Sequence, residues 1–246
     1  MKELEDLDKL NPLGMDPWSY EEYLADLEPH IERLKAVHRT REGAVWILGN
    51  GPSLVTAAPV ILQSPIPKIG VNKALGVVWP LDATVICHTE HLEEPVPGFL
   101  DLETTKARWS ALEQAGGLYL HGTSHLDRGT AIQVSHDHLF SRDLVKGASE
   151  GLAETGGSVM LVAMQLAYWL GFREFFMAGF ELMGEKFYPG GPYSPGALEG
   201  QVRLFEKVAE ELLKAGVQAW LVGVPKESPN RWFFRLSLDT VEKSER

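Results

Sequence analysis

Apolar positions in this chain gather into short solid runs, with amphipathic stretches between them. Ala44-Val45-Trp46-Ile47-Leu48-Gly49 is an apolar run that ends in glycine. A run without polar alternation is the pattern of a strand covered on both faces, as in a parallel sheet. Similar runs predict strands over Pro67 to Val71, Ala83 to Cys87, Gly117 to His121, Ala131 to Ser135, Glu174 to Ala178 and Val217 to Val224. Two longer stretches predict helices, Ser158 to Leu170 and Ala197 to Ala215. Helix, strand, helix, strand is the closing order, the crossover pattern of an α/β domain with a mostly parallel sheet.

Outside this core the pattern changes. Residues 1–42 carry ten acidic side chains between Glu3 and Glu32, and Asp16-Pro17 is a helix-start signal. Trp18, Tyr20, Tyr23, Leu24, Leu27, Ile31 and Leu34 follow at mostly helical spacing. The expected organisation is an acidic helical arm (1–42), an α/β domain (43–225) and a C-terminal tail (226–246). The tail's Arg231-Trp232-Phe233-Phe234-Arg235 reads as an aromatic patch that packs on the core or on a second subunit. Arm and tail together suggest a homodimer. Residues 88–155 and the Gly- and Pro-punctuated segment 184–196 read as loop-rich, the latter as a lid over a site at a strand end.

Charge narrows the partners. Among 246 residues, 23 Lys and Arg stand against 34 Asp and Glu, a formal net charge of −11. That balance disfavours non-specific binding to nucleic acid or anionic membranes. Cys87 is the single cysteine, so no internal disulfide forms. The start of the chain is acidic where a signal peptide is basic, and the longest apolar segment, Val159 to Phe172, is shorter than the roughly 20 residues of a membrane span. The expectation is a soluble, cytoplasmic protein without a membrane span.

Candidate chemistry sits at strand ends. Gly49-Asn50-Gly51-Pro52-Ser53-Leu54 follows the first strand directly. Its glycines permit close approach of a ligand, Asn50 can donate and accept, and Ser53 can cap a helix whose amides would face an anion. It lacks the Gly-Lys-Ser/Thr of a Walker A loop and the third glycine of the dinucleotide fingerprint; a plain strand-to-helix turn reads equally well. Thr155-Gly156-Gly157-Ser158 opens the apolar helix, and Val71-Asn72-Lys73 ends the second strand. His88/His91, His121/His125 and His136/His138 form three pairs, so a histidine metal site is weighed as well. His88 is the first candidate for a general base, and Asp82 and Glu90 are the acidic candidates for holding Mg²⁺.

The ordered set of Gly-Asn-Gly-Pro-Ser-Leu, an Asn after the second strand, and Thr-Gly-Gly-Ser-Val-Met with Gly-Phe-Arg-Glu-Phe-Phe-Met-Ala-Gly-Phe-Glu downstream resembles a superfamily of Rossmann-like transferases. Its members include the 6-hydroxymethylpterin diphosphokinase MptE-like proteins, the flagellar motility accessory factors and the bacterial CMP-sialic-acid-dependent sialyltransferases. The resemblance covers roughly Val45 to Val224. It implies a nucleotide site of Gly49, Asn50, Gly51, Pro52 and Ser53, with Asn72 on base or sugar and Gly156, Gly157 and Ser158 approaching from the helix start. Glu181 stands where these families usually carry Asp, and Tyr188 matches a phosphate-contacting tyrosine. The sialyltransferases' general-base histidine, expected near Tyr193, has no counterpart.

The closest overall likeness, with Gly-Gly-Ser before the helix, is to the MptE-like side. It implies diphosphate transfer from ATP, with Mg²⁺, to a small hydroxymethyl (pterin-like) acceptor. Three alternatives stand beside it: transfer from a CMP-sugar, a nucleotide-binding module without turnover, and a histidine-metal hydrolase.

Overall fold

The computed structural model describes residues 43–86, 95–114, 118–121, 158–183 and 195–244. Seven strands form one sheet: β1 (Ala44–Leu48), β2 (Lys68–Val71), β3 (Ala83–Ile86), β4 (Leu118–His121), β5 (Glu174–Ala178), β6 (Gln218–Val222) and β7 (Phe234–Leu236). The helices are α1 (Ser53–Gln63), α2 (Leu102–Gln114), α3 (Val159–Trp169), α4 (Pro195–Lys214) and α5 (Leu238–Ser244), with a short 3-10 turn at Asn72–Gly76. Strand order is β4-β3-β2-β1-β5-β6-β7, and every neighbouring pair is parallel. This is the expected Rossmann-like α/β fold.

Period-two alternation sorts the side chains of each central strand into two cores. Val45 and Ile47 of β1, with Phe175 and Met177 of β5, pack with α3 and α4. Trp46 and Leu48, with Phe176 and Ala178, pack with α1 and reach Val241 of α5. Both faces are therefore covered, which is why these strands read as continuous apolar runs. Full burial of one such side chain contributes roughly 1.5–3 kcal/mol. Trp46 shows how its polar tip is satisfied inside the core: its indole Nε1 donates to Ser64 Oγ at 3.1 Å.

The predicted elements at 44–49, 67–71, 83–87, 117–121, 158–170, 174–178, 197–215 and 217–224 all appear, with ends shifted by one or a few residues. The helix expected after the Gly49–Ser53 turn is present as α1, the structure adds α2 and α5, and Phe233 of the tail packs in the core. Residues 234–236 are the seventh strand, parallel to β6, so the chain beyond 225 completes the sheet. The 1–42 arm, the strand expected at Ala131–Ser135 and the 184–194 part of the lid segment lie outside the described residues, and the lid's last two residues, Pro195 and Gly196, open α4. Among the described residues, no helix is long and apolar enough to cross a membrane.

A candidate nucleotide site at the switch point

Connections from β1 run outward to β2, β3 and β4; the chain then returns beside β1 as β5 and runs outward the other way. The reversal falls between β1 and β5, the position where open α/β sheets leave a crevice at their carboxyl ends. Leu48 is paired with Ala178, so Gly49 and Gly179 leave the sheet side by side.

These two turns are locked together. Gly49 N donates to Ala178 O and Gly51 N to Gly179 O, each at 2.8 Å. Gly179 N donates to Ser53 Oγ at 2.9 Å. Ser53 N donates to Glu181 Oε1. Gly179 has φ +71°, a left-handed conformation natural to glycine. A Cβ at Gly51 would overlap the Glu181 carboxylate, and one at Gly49 would overlap Gly179 O and meet Met160 Sδ at 3.3 Å. Met160 lies in the first turn of α3, so the start of that helix is brought against the β1 turn as well.

The hydrogen bonds correct one expectation. Ser53 does not cap α1. It is the helix's first residue, Pro52 holds the cap position without a side-chain cap bond, and the Ser53 hydroxyl serves the β5 turn. The free amide at the start of α1 is instead met by the Glu181 carboxylate, a negative group at the positive end of a helix. The amides of Gly49, Gly51 and Ser53 are therefore engaged within the protein.

Two acceptors are left over. Glu181 is 3% exposed and Asn50 9%, yet Glu181 Oε2 and Asn50 Oδ1 have no hydrogen-bond partner among the described residues. Burying an acceptor without a donor costs roughly 1–3 kcal/mol, so a ligand that supplies donors regains that cost on binding. Both oxygens are the kind of acceptor that a hydroxyl or amino donor would satisfy.

Other predicted residues are placed unevenly. Asn72 follows β2, on the same edge of the sheet, with φ +48° and 8% exposure, and Lys73 beside it is buried too. Ser158 caps α3 with no side-chain cap bond. Asp82 is not brought to the site. It precedes β3, on the opposite edge, where its Oδ2 accepts from Lys68 N and its own N donates to Lys68 O, both at 2.9 Å. That pairing ties the starts of β2 and β3 together. His88, Glu90, Gly156, Gly157 and Tyr188 lie outside the described residues, as do His91, His125, His136 and His138. For His121 only the backbone, in β4, is described.

Three tail residues bear on the site: Arg235, which the sequence presents only as the end of an aromatic patch, and Ser228 and Asn230, which carry no motif. Ser228 Oγ donates to Glu181 O, and Asn230 Nδ2 donates to Phe180 O at 3.0 Å. Arg235 holds the loop that carries both. Only the polar character of Ser228 and Asn230 ahead of an aromatic run pointed that way.

No family model matches the chain, and no curated protein matches it. Solved structures are similar at low identity. The sialyltransferase CST-II in complex with trisaccharide acceptor and CMP shares 13% identity and a TM-score of 0.45, over 78% of this chain and 85% of that one. CstII from Campylobacter jejuni with a substrate analogue and cytidine-5'-monophosphate shares 12% identity and a TM-score of 0.42, over 78% and 84%. A point mutant of α-2,3/8-sialyltransferase CstII shares 15% identity and a TM-score of 0.44, over 78% and 86%.

Proposed function

We propose that this chain is a nucleotide-binding transferase of the nucleotide-sugar type, taking a CMP-like nucleotide at the β1/β5 switch point. The observation that carries the reading is the pair of buried, unpartnered acceptors, Asn50 Oδ1 and Glu181 Oε2, beside a loop whose amides at Gly49, Gly51 and Ser53 are already engaged. Such a mouth suits the hydroxyl and amino donors of a nucleoside. At that turn the amides a polyphosphate would use, those of Gly49, Gly51 and Ser53, are already taken. Transfer of a diphosphate from ATP, the reading closest to the motif resemblance, therefore takes second place to transfer from a CMP-sugar. In this reading Asn72 contacts the nucleoside, and a single phosphate lies toward the start of α3, at Gly156, Gly157 and Ser158. His88 acts as the general base and Tyr188 as a phosphate contact. Mg²⁺, if required, falls to Glu90, since Asp82 faces the other edge of the sheet.

The test is calorimetric titration with CMP, CDP, CTP, AMP, ADP and ATP, each with and without Mg²⁺. Binding of CMP without need of metal is the expected result, and release of CMP from a CMP-sugar in the presence of an acceptor would establish transfer. Mg²⁺-dependent binding of ATP with none of CMP would return the assignment to diphosphate transfer. Binding of CMP with no turnover of any CMP-sugar would make the chain a binding module. Binding of no nucleotide would reject the site.

A further inference from the structure

The turn that carries Glu181 is held from two sides, and one of them is the C-terminal tail. Arg235, in β7, is the centre of that second hold. Its guanidinium donates through Nη2 to Ser228 O at 3.1 Å and to Asn230 O at 3.0 Å, and through Nη1 to Val224 O at 3.4 Å and to Pro225 O. One planar group thus gathers four carbonyls of a single loop, 224–230. A fixed fork of donors holds such a set in one arrangement, which a flexible ammonium does not do.

The loop passes this order on. Asn230 N donates to Ser228 Oγ at 3.1 Å, which aims the hydroxyl at Glu181 O. Asn230 Nδ2 donates to Phe180 O at 3.0 Å. Ser228 and Asn230 are fully buried. Asn230 Oδ1 has no partner among the described residues, so the amide is held there for its donor alone. Both carbonyls flanking the Cα of Glu181 are therefore fixed from the tail. The next residue, Leu182, sits at φ +54°, a left-handed conformation that side-chain-bearing residues rarely hold without support.

We propose that Arg235 is a positioning residue for the switch-point site: it holds the 224–230 loop so that Ser228 and Asn230 fix the backbone of Glu181, and through it the carboxylate that meets Ser53 N and faces the ligand. The site then extends to a tail strand that touches no ligand. The ligand-binding part of this inference rests on the nucleotide reading above; the positioning part does not.

Hydrogen exchange at the Ser53 amide reads the positioning directly, because Glu181 Oε1 is that amide's acceptor. In Arg235→Ala and in Ser228→Ala, Ser53 exchange rises about tenfold or more, while the ladder amides of Ile47 and Phe176 stay within about twofold of wild type, the signature of local rather than global opening. Arg235→Lys falls between Arg235→Ala and wild type. Should Arg235→Ala fail to fold, Ser228→Ala, which removes one hydroxyl, carries the test. Unchanged Ser53 exchange in a folded variant overturns the proposal. A rise shared equally by Ile47 and Phe176 also overturns it, by reducing the clamp to general stability.

A CMP titration then follows the effect into binding. Ser228→Ala weakens CMP about tenfold in the wild-type background and adds nothing in the Glu181→Ala background, as expected when one residue acts through the other. Equal weakening in both backgrounds overturns the link to the ligand. Absence of CMP binding in the wild-type protein overturns the nucleotide reading, while the exchange result still decides the clamp.

Discussion

Gly49 and Gly179 face each other across the gap between β1 and β5, each occupying the space that a side chain on the other would need. A Cβ built on Gly179 would lie 2.7 Å from Gly49 O, and one on Gly49 would overlap Gly179 O. Two backbones this close allow Gly51 N and Ser53 to bond the β5 turn directly.

Gly179→Ala should therefore cost more than its backbone conformation alone. The left-handed φ costs roughly 1–2 kcal/mol and the overlap roughly 1–3 kcal/mol more. Gly216→Ala is the control, since it has φ +74° but nothing within 4 Å of its Cβ. Thermal unfolding should show a clearly larger loss for Gly179→Ala. Equal losses would mean that the close approach carries no strain of its own.

Glu181→Ala and Glu181→Gln separate the carboxylate's two roles. The alanine variant leaves Ser53 N without its acceptor, at a cost of roughly 1–3 kcal/mol, or a fall of very roughly 2–10 °C in Tm for a chain of this size. The glutamine variant keeps one oxygen but replaces the other with a donor, so whichever way its amide faces, one acceptor is lost. It should retain most of the stability and lose about tenfold or more in CMP affinity. Wild-type affinity in Glu181→Gln would remove Oε2 from the ligand's contacts.

Asn50→Ala should weaken CMP by about tenfold or more, because the buried amide then offers the ligand no partner. Its stability should change little, as the oxygen removed has no partner among the described residues to lose. A fall in Tm with unchanged affinity would reverse that assignment and make Asn50 a purely structural turn residue.

Asp101 supplies a pH-dependent cap at the start of α2. Its Oδ1 accepts from Thr104 N at 2.7 Å, and Thr105 Oγ1 donates to its carbonyl at 2.8 Å. Hydrogen bonds from Thr104 hold the carboxyl below its ordinary value of 3.8. A lowered pKa in the folded state means that the unfolded chain takes up its proton first as pH falls. The cap's contribution is thus present above 3.8 and lost as pH drops through the folded value. Wild type and Asp101→Ala should differ in Tm at neutral pH and converge at strongly acid pH, with the group's exposure keeping the gap small. A gap independent of pH would assign the effect to backbone conformation instead.

Local periodicity specifies the central strands. β1 and β5 are apolar along their whole length because both faces are covered, and that pattern needs no knowledge of neighbours. A helix after Ser53 is legible from the strand-to-helix turn, but its run through Pro59 to Gln63 is not, because proline interrupts a helical pattern. β7 was missed because Phe234–Leu236 is three residues long at the sheet's edge, where only one neighbour defines it. The glycines at 49 and 51 were legible as a turn, but their reason was not: each leaves room for a group from the β5 turn, far along the chain.

The sequence by itself determined that this is an α/β chain with a parallel sheet, and that Gly49 to Ser53 and the segment ending at Glu181 lie at strand ends. Those features follow from short-range periodicity and from residues with special backbone freedom. Tertiary structure alone decided that Glu181, not a bound phosphate, meets the first amide of α1, that Asp82 lies on the far edge of the sheet, and that Arg235 in the tail steadies the turn of Glu181. Ser53 and Glu181 are 128 residues apart. Which long-range partners meet is set by strand order, and a hydrogen bond across that distance leaves no periodic trace in the residues between.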